Sequence, residues 1–236
     1  MITLWKYKKV AMSNMILYHG SPDIVRKPEY GRGKPYNDYG SGFYCTENID
    51  LAREWACGES LDGFVNRYEL NPAELRILNL STENYTILHW LALLMKYRRV
   101  RISGAVMKRG MEWLTAHFVP DIDRFDAIIG YRADDSYFSF ARAFVNNEIS
   151  LRQLSYAMKL GELGEQFVLK SKKAFSSIRF ISSEKVSNAV YFPRRKQRDD
   201  AARAAFQQEL DRDDLDGLFM RDIIREKVMP DDPRIR

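Results

Sequence analysis

The residues best placed to do chemistry fall in two early stretches. One is Tyr18-His19-Gly20-Ser21, and the other runs Asp38-Tyr39-Gly40-Ser41-Gly42-Phe43-Tyr44-Cys45-Thr46. In the second, aromatic rings alternate with glycines and small residues, so ring faces lie beside backbone without side chains. A planar ligand can approach such a main chain closely. The same pattern also describes a glycine-rich turn between a strand and a helix. Further on, Asp134-Asp135 follows a compact apolar run and Glu165-Gln166 opens another. The aspartates suit either a site carboxylate or the cap of the helix after them. Gln166 suits a ligand contact or a polar strand edge, and His89 and His117 read as structural.

The elements that must position these residues are short. Met15 to His19 reads as a strand, followed by a polar loop, the glycine-aromatic stretch, and a helix over Ile49 to Cys57 for which Thr46 offers a starting hydroxyl. Strands are expected at Phe64–Leu70, Leu75–Leu80, Phe125–Gly130, Glu165–Ser171 and Ala174–Ile181. A long helical region opens at Ser81-Thr82-Glu83, with Ile87, Trp90, Leu91, Leu94 and Met95 on one face. Further helices are expected at Ser136–Val145, Ile149–Lys159, Arg194–Leu210 and Leu215–Val228. Val190-Tyr191-Phe192 ends the core at Pro193. Strands interspersed with helices, and few strict strand-helix-strand units, predict an α+β fold. The division is an N-terminal extension over 1–14, a main domain over 15–193, and a C-terminal helical extension over 194–236 packed on that domain.

Composition bounds the function classes. The chain has 236 residues, 45% hydrophobic, enough for a real core. A net charge of +5 fits an anionic cofactor or nucleic acid and is diagnostic of neither. Two cysteines, Cys45 and Cys57, make no disulfide framework, and no metal-ligand cluster accompanies them, so no metal is expected. The longest apolar run, Ile87 to Met95, falls far short of the roughly 20 residues that span a bilayer. The first residues lack a signal peptide's apolar stretch. These features predict a cytoplasmic protein without membrane contact. The basic stretch Arg98, Arg99, Arg101, Lys108 and Arg109 is either a solvated surface or a phosphate-contacting patch.

Taken together, Leu17 to Ser21, Asp38 to Thr46, Ala52 to Ala56, Ala133 to Asp135 and Arg221 to Ile224 resemble a bacterial family of uncharacterised function within the ADP-ribosyltransferase superfamily. The order of Tyr18-His19-Gly20, Gly42-Phe43-Tyr44 and Glu165 to Leu169 is similar to its His-Tyr-Glu branch. The resemblance implies a split β-sheet core and cleavage of the nicotinamide–ribose bond of NAD, with no metal. It further implies mono-ADP-ribosyl transfer to a macromolecular acceptor, protein or nucleic acid. Several members of the family look like toxins of toxin–antitoxin pairs, which implies a cognate antitoxin protein as partner.

The resemblance also assigns roles. His19 would hold ribose hydroxyls, the Gly20 backbone would pair with the nicotinamide carboxamide, and Tyr44 would stack on the nicotinamide ring with Phe43 or Tyr39 as a wall. Ser21 and Gly42 complete the expected cofactor-binding set. A carboxylate near the anomeric carbon would stabilise developing positive charge. The strand position expected to carry it holds Gln166, which can bind a hydroxyl but cannot ionise. Asp134 or Asp135 is the expected substitute ahead of Glu165. A catalytically degenerate NAD- or nucleotide-binding module, an NAD glycohydrolase, and a nucleic-acid binder using the Arg98–Arg109 stretch are the rival readings.

Overall fold

A computed structural model of the chain describes residues 13–160, 164–212 and 214–236. The expected N-terminal extension therefore lies almost wholly outside the described residues. The fold is α+β, with two small sheets meeting at a seam. Strands β1 (Met15–Ser21), β3 (Gly63–Leu70) and β7 (Ile178–Val186) form an antiparallel sheet in the order β1-β3-β7. Strands β2 (Phe43–Cys45), β4 (Ile77–Asn79), β5 (Ala127–Tyr131) and β6 (Glu165–Leu169) form the second, in the order β2-β6-β5-β4. Only the β4–β5 pair is parallel. The sheets are joined where Tyr18 and Thr46 exchange backbone hydrogen bonds of 2.8 and 2.9 Å. That bridge sets His19 and Tyr44 beside each other across the seam.

Three apolar clusters hold this arrangement. Leu17, Cys45, Leu70, Phe167 and Leu169 pack between the sheets. Helix α1 (Ile49–Ala56) lays Ala52 and Ala56 on Val65 and Val186 of the three-stranded sheet. The largest cluster covers the four-stranded sheet with α2 (Ile87–Tyr97), α3 (Ala105–His117), α4 (Asp135–Val145) and α5 (Leu151–Ala157). The C-terminal segment adds to that cluster: α7 (Asn188–Leu210) brings Phe206 to 4.0 Å from Phe140, and α8 (Met220–Arg225) buries Met220 and Ile223. Trp113 Nε1 donates to the Val228 carbonyl at 3.1 Å, tying the last residues to α3.

Several sequence expectations shift. Asn48, not Thr46, caps α1, its Oδ1 accepting from the N–H groups of Asp50 and Leu51. Thr46 instead supports the cap, accepting from Asn48 N–H at 3.1 Å. The helical region expected from Ser81 begins only at Ile87, where Thr86 and His89 make a reciprocal cap. The first half of the expected Ala174–Ile181 strand belongs to a short helix, α6 (Lys172–Ser176), because Ser171 caps it through Ala174 N–H. Val190, Tyr191 and Phe192, expected to end the core at Pro193, belong to the opening turns of α7, so residue 193 falls inside that helix. Pro193 lies past the first turn of α7, so the helix forgoes one backbone hydrogen bond at that position.

Candidate active site

A cavity of about 700 Å³ opens at the seam. His19 and Gly20 at the end of β1, Gly42, Phe43 and Tyr44 at the start of β2, and Gln166 on β6 all line it. Residues far apart in sequence are thus brought together by the antiparallel pairing of β2 with β6 and by the Tyr18–Thr46 bridge.

His19 is fixed by two contacts. Its Nδ1 lies 2.7 Å from the Tyr44 carbonyl oxygen, and its ring lies 4.4 Å from that of Phe43. A carbonyl only accepts, so Nδ1 carries the proton and Nε2 is a bare acceptor. Burial pushes the imidazole below its ordinary value and so favours the neutral ring, while the Tyr44 hydrogen bond acts in the opposite sense.

Tyr44 is locked through its hydroxyl. That group donates to the Gly40 carbonyl at 2.6 Å and accepts from Tyr39 N–H at 3.0 Å. Burial holds the phenol far above its ordinary range, so it stays protonated. Its ring lines the cavity while its oxygen fastens the loop. Gly40 takes φ +72°, a conformation that favours glycine, and a Cβ there would strike Tyr97 at 2.8 Å. Lys170 Nζ also braces this loop, donating to the Tyr39 and Ser41 carbonyls at 2.6 and 2.5 Å. Burial lowers that amine to about 8.

Other expected residues stand elsewhere. Gly20 lines the cavity, but its missing side chain is required by α1: a Cβ would lie 2.1 Å from the Ala52 carbonyl oxygen. Ser21 is not on the cavity wall; its hydroxyl donates to the Asp23 carbonyl at 2.5 Å and accepts from Asn66 at 3.0 Å. Asn66, fully buried, also accepts from Val25 N–H at 2.9 Å and so clamps the start of the polar loop. Tyr39 is buried beneath the site, its hydroxyl donating to the Tyr131 carbonyl at 2.8 Å, so Phe43 is the ring that forms the wall. Asp134 caps α4, accepting from Tyr137 N–H at 3.2 Å, and is absent from the cavity lining. Burial raises its carboxyl, opposed by the Tyr137 hydrogen bond and by Arg132. Asp135 is the first residue of α4, and its side chain lies outside the described residues. Glu165 faces away from Gln166, is exposed, and accepts from the Ser81 hydroxyl.

Gln166 is buried, and its amide is held by two acceptors. Nε2 donates to Asp38 Oδ2 at 2.9 Å and to the Tyr131 carbonyl at 3.2 Å. Asp38, only 6% exposed, lines the cavity, accepts from Ala133 N–H at 2.9 Å, and has Arg98 3.5 Å from its other oxygen. Reasoning from sequence missed Asp38 as a site residue, although it opens the glycine-aromatic stretch. The signal was the glutamine itself: a buried amide at a position suited to a carboxylate calls for a charged neighbour.

Arg132 and Trp55 were missed as well. The guanidinium carbon of Arg132 sits 3.7 Å from the Trp55 ring centre, and both residues line the cavity. Burial lowers the arginine to about 10, with Asp134 and Asp38 acting in the opposite sense. The stretch from Arg98 to Arg109 is no single patch. Arg98 turns into the cavity, Arg99 stacks on Tyr36 at 4.4 Å, and Lys108 and Arg109 lie exposed on α3. Near the C-terminus, Asp222 pairs with Arg225 at 3.0 Å. A larger depression, about 1220 Å³, lies among α5, α8 and the C-terminus. Its arginines include Arg152, paired with Asp214 at 2.7 Å, and Arg212, paired with Glu209 at 3.0 Å, so much of its charge is internally balanced. It holds none of the expected site residues.

No helix among the described residues is long and apolar enough to cross a membrane. No curated protein and no solved structure matches the chain. Residues 15–180, which contain every residue of the seam cavity, match the family described as "Protein of unknown function (DUF3990)". This chain belongs to that family.

Proposed function

We propose that this protein is an NAD-dependent mono-ADP-ribosyltransferase. The observation that carries the reading is the convergence of His19, Tyr44 and Gln166, from three separate strands, on one cavity. About 700 Å³ is in the range of roughly 300–1,000 Å³ typical of ligand sites. Lys27, Arg32, Lys34, Arg98 and Arg132 on its walls outnumber Glu29 and Asp38, which suits a pyrophosphate.

In this reading neutral His19 accepts a ribose hydroxyl at Nε2, and the backbone of Gly20 pairs with the carboxamide. The nicotinamide ring stacks on Tyr44, above the narrow backbone of Gly42. Gln166 accepts a second ribose hydroxyl. The bond between the anomeric carbon and the pyridinium nitrogen breaks, its electron pair leaving with nicotinamide. The anomeric carbon then bonds to a nucleophile of the acceptor, whose proton is released. The acceptor is a macromolecule, protein or nucleic acid, and the resemblance to toxins of toxin–antitoxin pairs supports a bacterial toxin restrained by a cognate antitoxin.

Gln166 supports a second reading. With a neutral amide at that strand position, the cavity also suits an NAD-binding module, or an NAD glycohydrolase that uses water. Incubating the protein with labelled NAD and cell lysate separates the readings. Label entering a macromolecule, and lost in His19→Ala, supports the transferase. Nicotinamide release without label transfer supports the glycohydrolase. Saturable NAD binding with no release supports the binding module.

A further inference from the structure

Resting on the NAD-cleaving reading, we propose that Asp38 supplies the negative charge of the site, delivered to the sugar through the amide of Gln166. A departing pyridinium leaves positive charge at the anomeric carbon, and a neutral amide alone gives weak compensation. Among the described residues, two carboxylates line the cavity. Glu29 is exposed and paired with Arg32 at 3.3 Å. Asp38 is buried and bonded to Gln166 at 2.9 Å.

The amide orientation follows from its neighbours. Turned the other way, the Gln166 oxygen would face Asp38 Oδ2 and the Tyr131 carbonyl, three oxygens with no proton among them. That carbonyl already receives Tyr39 Oη–H at 2.8 Å and Trp90 Nε1–H at 3.0 Å, so its place is fixed. Both amide protons of Gln166 are therefore committed. Its Oε1 has no hydrogen-bond donor among the described residues, and it is not among the sealed, unpartnered polar atoms. It is the acceptor that Gln166 presents to the cavity. An amide whose N–H groups donate to a carboxylate carries more negative charge on its oxygen, since linked hydrogen bonds polarise one another. Asp38 thus acts as a positioning and polarising residue, and Gln166 makes the contact. Arg98 and Ala133 N–H hold the carboxylate in place from its other sides.

The test compares nicotinamide release and NAD affinity in the wild type, Asp38→Asn, Gln166→Glu and the double variant. Asp38→Asn keeps the shape of the side chain and is expected to lower kcat about 100-fold, within the range for loss of one transition-state contact, with Kd for NAD changed no more than a few-fold. Gln166→Glu alone is expected to lose activity too, because its carboxylate would meet Asp38 and the Tyr131 carbonyl. The double variant restores a single carboxylate to the pair. It is expected to regain at least tenfold over Asp38→Asn, short of full recovery because one oxygen still faces Tyr131. A merely structural Asp38 predicts no such regain. Asp38→Asn within twofold of wild type, or a folded double variant no better than Asp38→Asn, overturns the inference while leaving NAD cleavage standing. Should the double variant not fold, the kcat and Kd of Asp38→Asn decide the matter in the same way. A wild type that does not cleave NAD overturns the transferase reading, and this inference with it.

Discussion

Removing one oxygen from Tyr44 separates two roles that the side chain combines. In Tyr44→Phe the ring stays on the cavity wall, while Tyr39 N–H loses its acceptor at 3.0 Å and the Gly40 carbonyl loses its donor at 2.6 Å. Tyr39 and Gly40 are both buried, so water does not readily replace the hydroxyl. Leaving a buried polar group unpaired costs about 1–3 kcal/mol, and the Lys170 brace on the same loop limits further rearrangement. With the lower end of that range for each of the two groups, the expected loss is about 2 kcal/mol. For a chain of this length, roughly 2–4 °C of Tm per kcal/mol converts it to a fall of about 4–8 °C. Differential scanning calorimetry reads that shift, and nicotinamide release measured well below Tm reads the chemistry. Because the proposed contact is the ring face, kcat is expected within a few-fold of wild type in Tyr44→Phe and to collapse in Tyr44→Ala. An unchanged Tm with abolished NAD cleavage in Tyr44→Phe would refute the reasoning, since it would mean that the oxygen serves the reaction rather than the loop.

Two further expectations concern charge. Asp134→Ala removes the N-cap of α4, at a cost of about 1 kcal/mol of stability seen in denaturant midpoints, with nicotinamide release per folded molecule changed less than threefold. A loss of release comparable to that of His19→Ala would show that Asp134 belongs to the site after all. The pH dependence of stability follows from His19 and His89, both lowered chiefly by burial. Above about pH 6.5 both are neutral in the folded and unfolded chain and contribute no slope. Below it the unfolded chain takes up protons that the folded one refuses, so stability falls on acidification by at most about 1.4 kcal/mol per pH unit for each histidine. Urea midpoints between pH 7.5 and 5 measure this, and His19→Asn is expected to flatten the slope. An unchanged slope would mean that His19 is not held neutral by burial.

Local pattern in the sequence determined much of the scaffold. Strand β6 was legible as alternating apolar residues between Gly164 and Ser171, and β5 as a short apolar run after Asp126. The glycine-aromatic stretch marked the loop and β2, because glycine next to aromatic residues is a property of neighbours along the chain. The Ser150 cap of α5 is local in the same way, since its hydroxyl accepts from Gln153 N–H within its own turn. Where the choice depended on which of two local caps prevails, as with Thr46 against Asn48 or at Ser171, the sequence signal was ambiguous and the three-dimensional arrangement settled it.

The site divides along the same line. His19, Tyr44 and Gln166 could be named from sequence because each sits in a recognisable local motif. Asp38 could not be distinguished from an ordinary loop aspartate until β2 paired with β6 and brought the loop to Gln166, 128 residues away. Asp134 and Asp135 looked equally suited to a site or a cap, and only the tertiary arrangement left the Asp134 carboxylate off the cavity lining, with its local bond to Tyr137 N–H. Arg132 gained its partner only when α1 laid Trp55 against the end of β5. Propensity and capping act over a few residues and are written in the chain, whereas the pairing of a buried charge depends on which strands share a sheet, and only tertiary structure decides that.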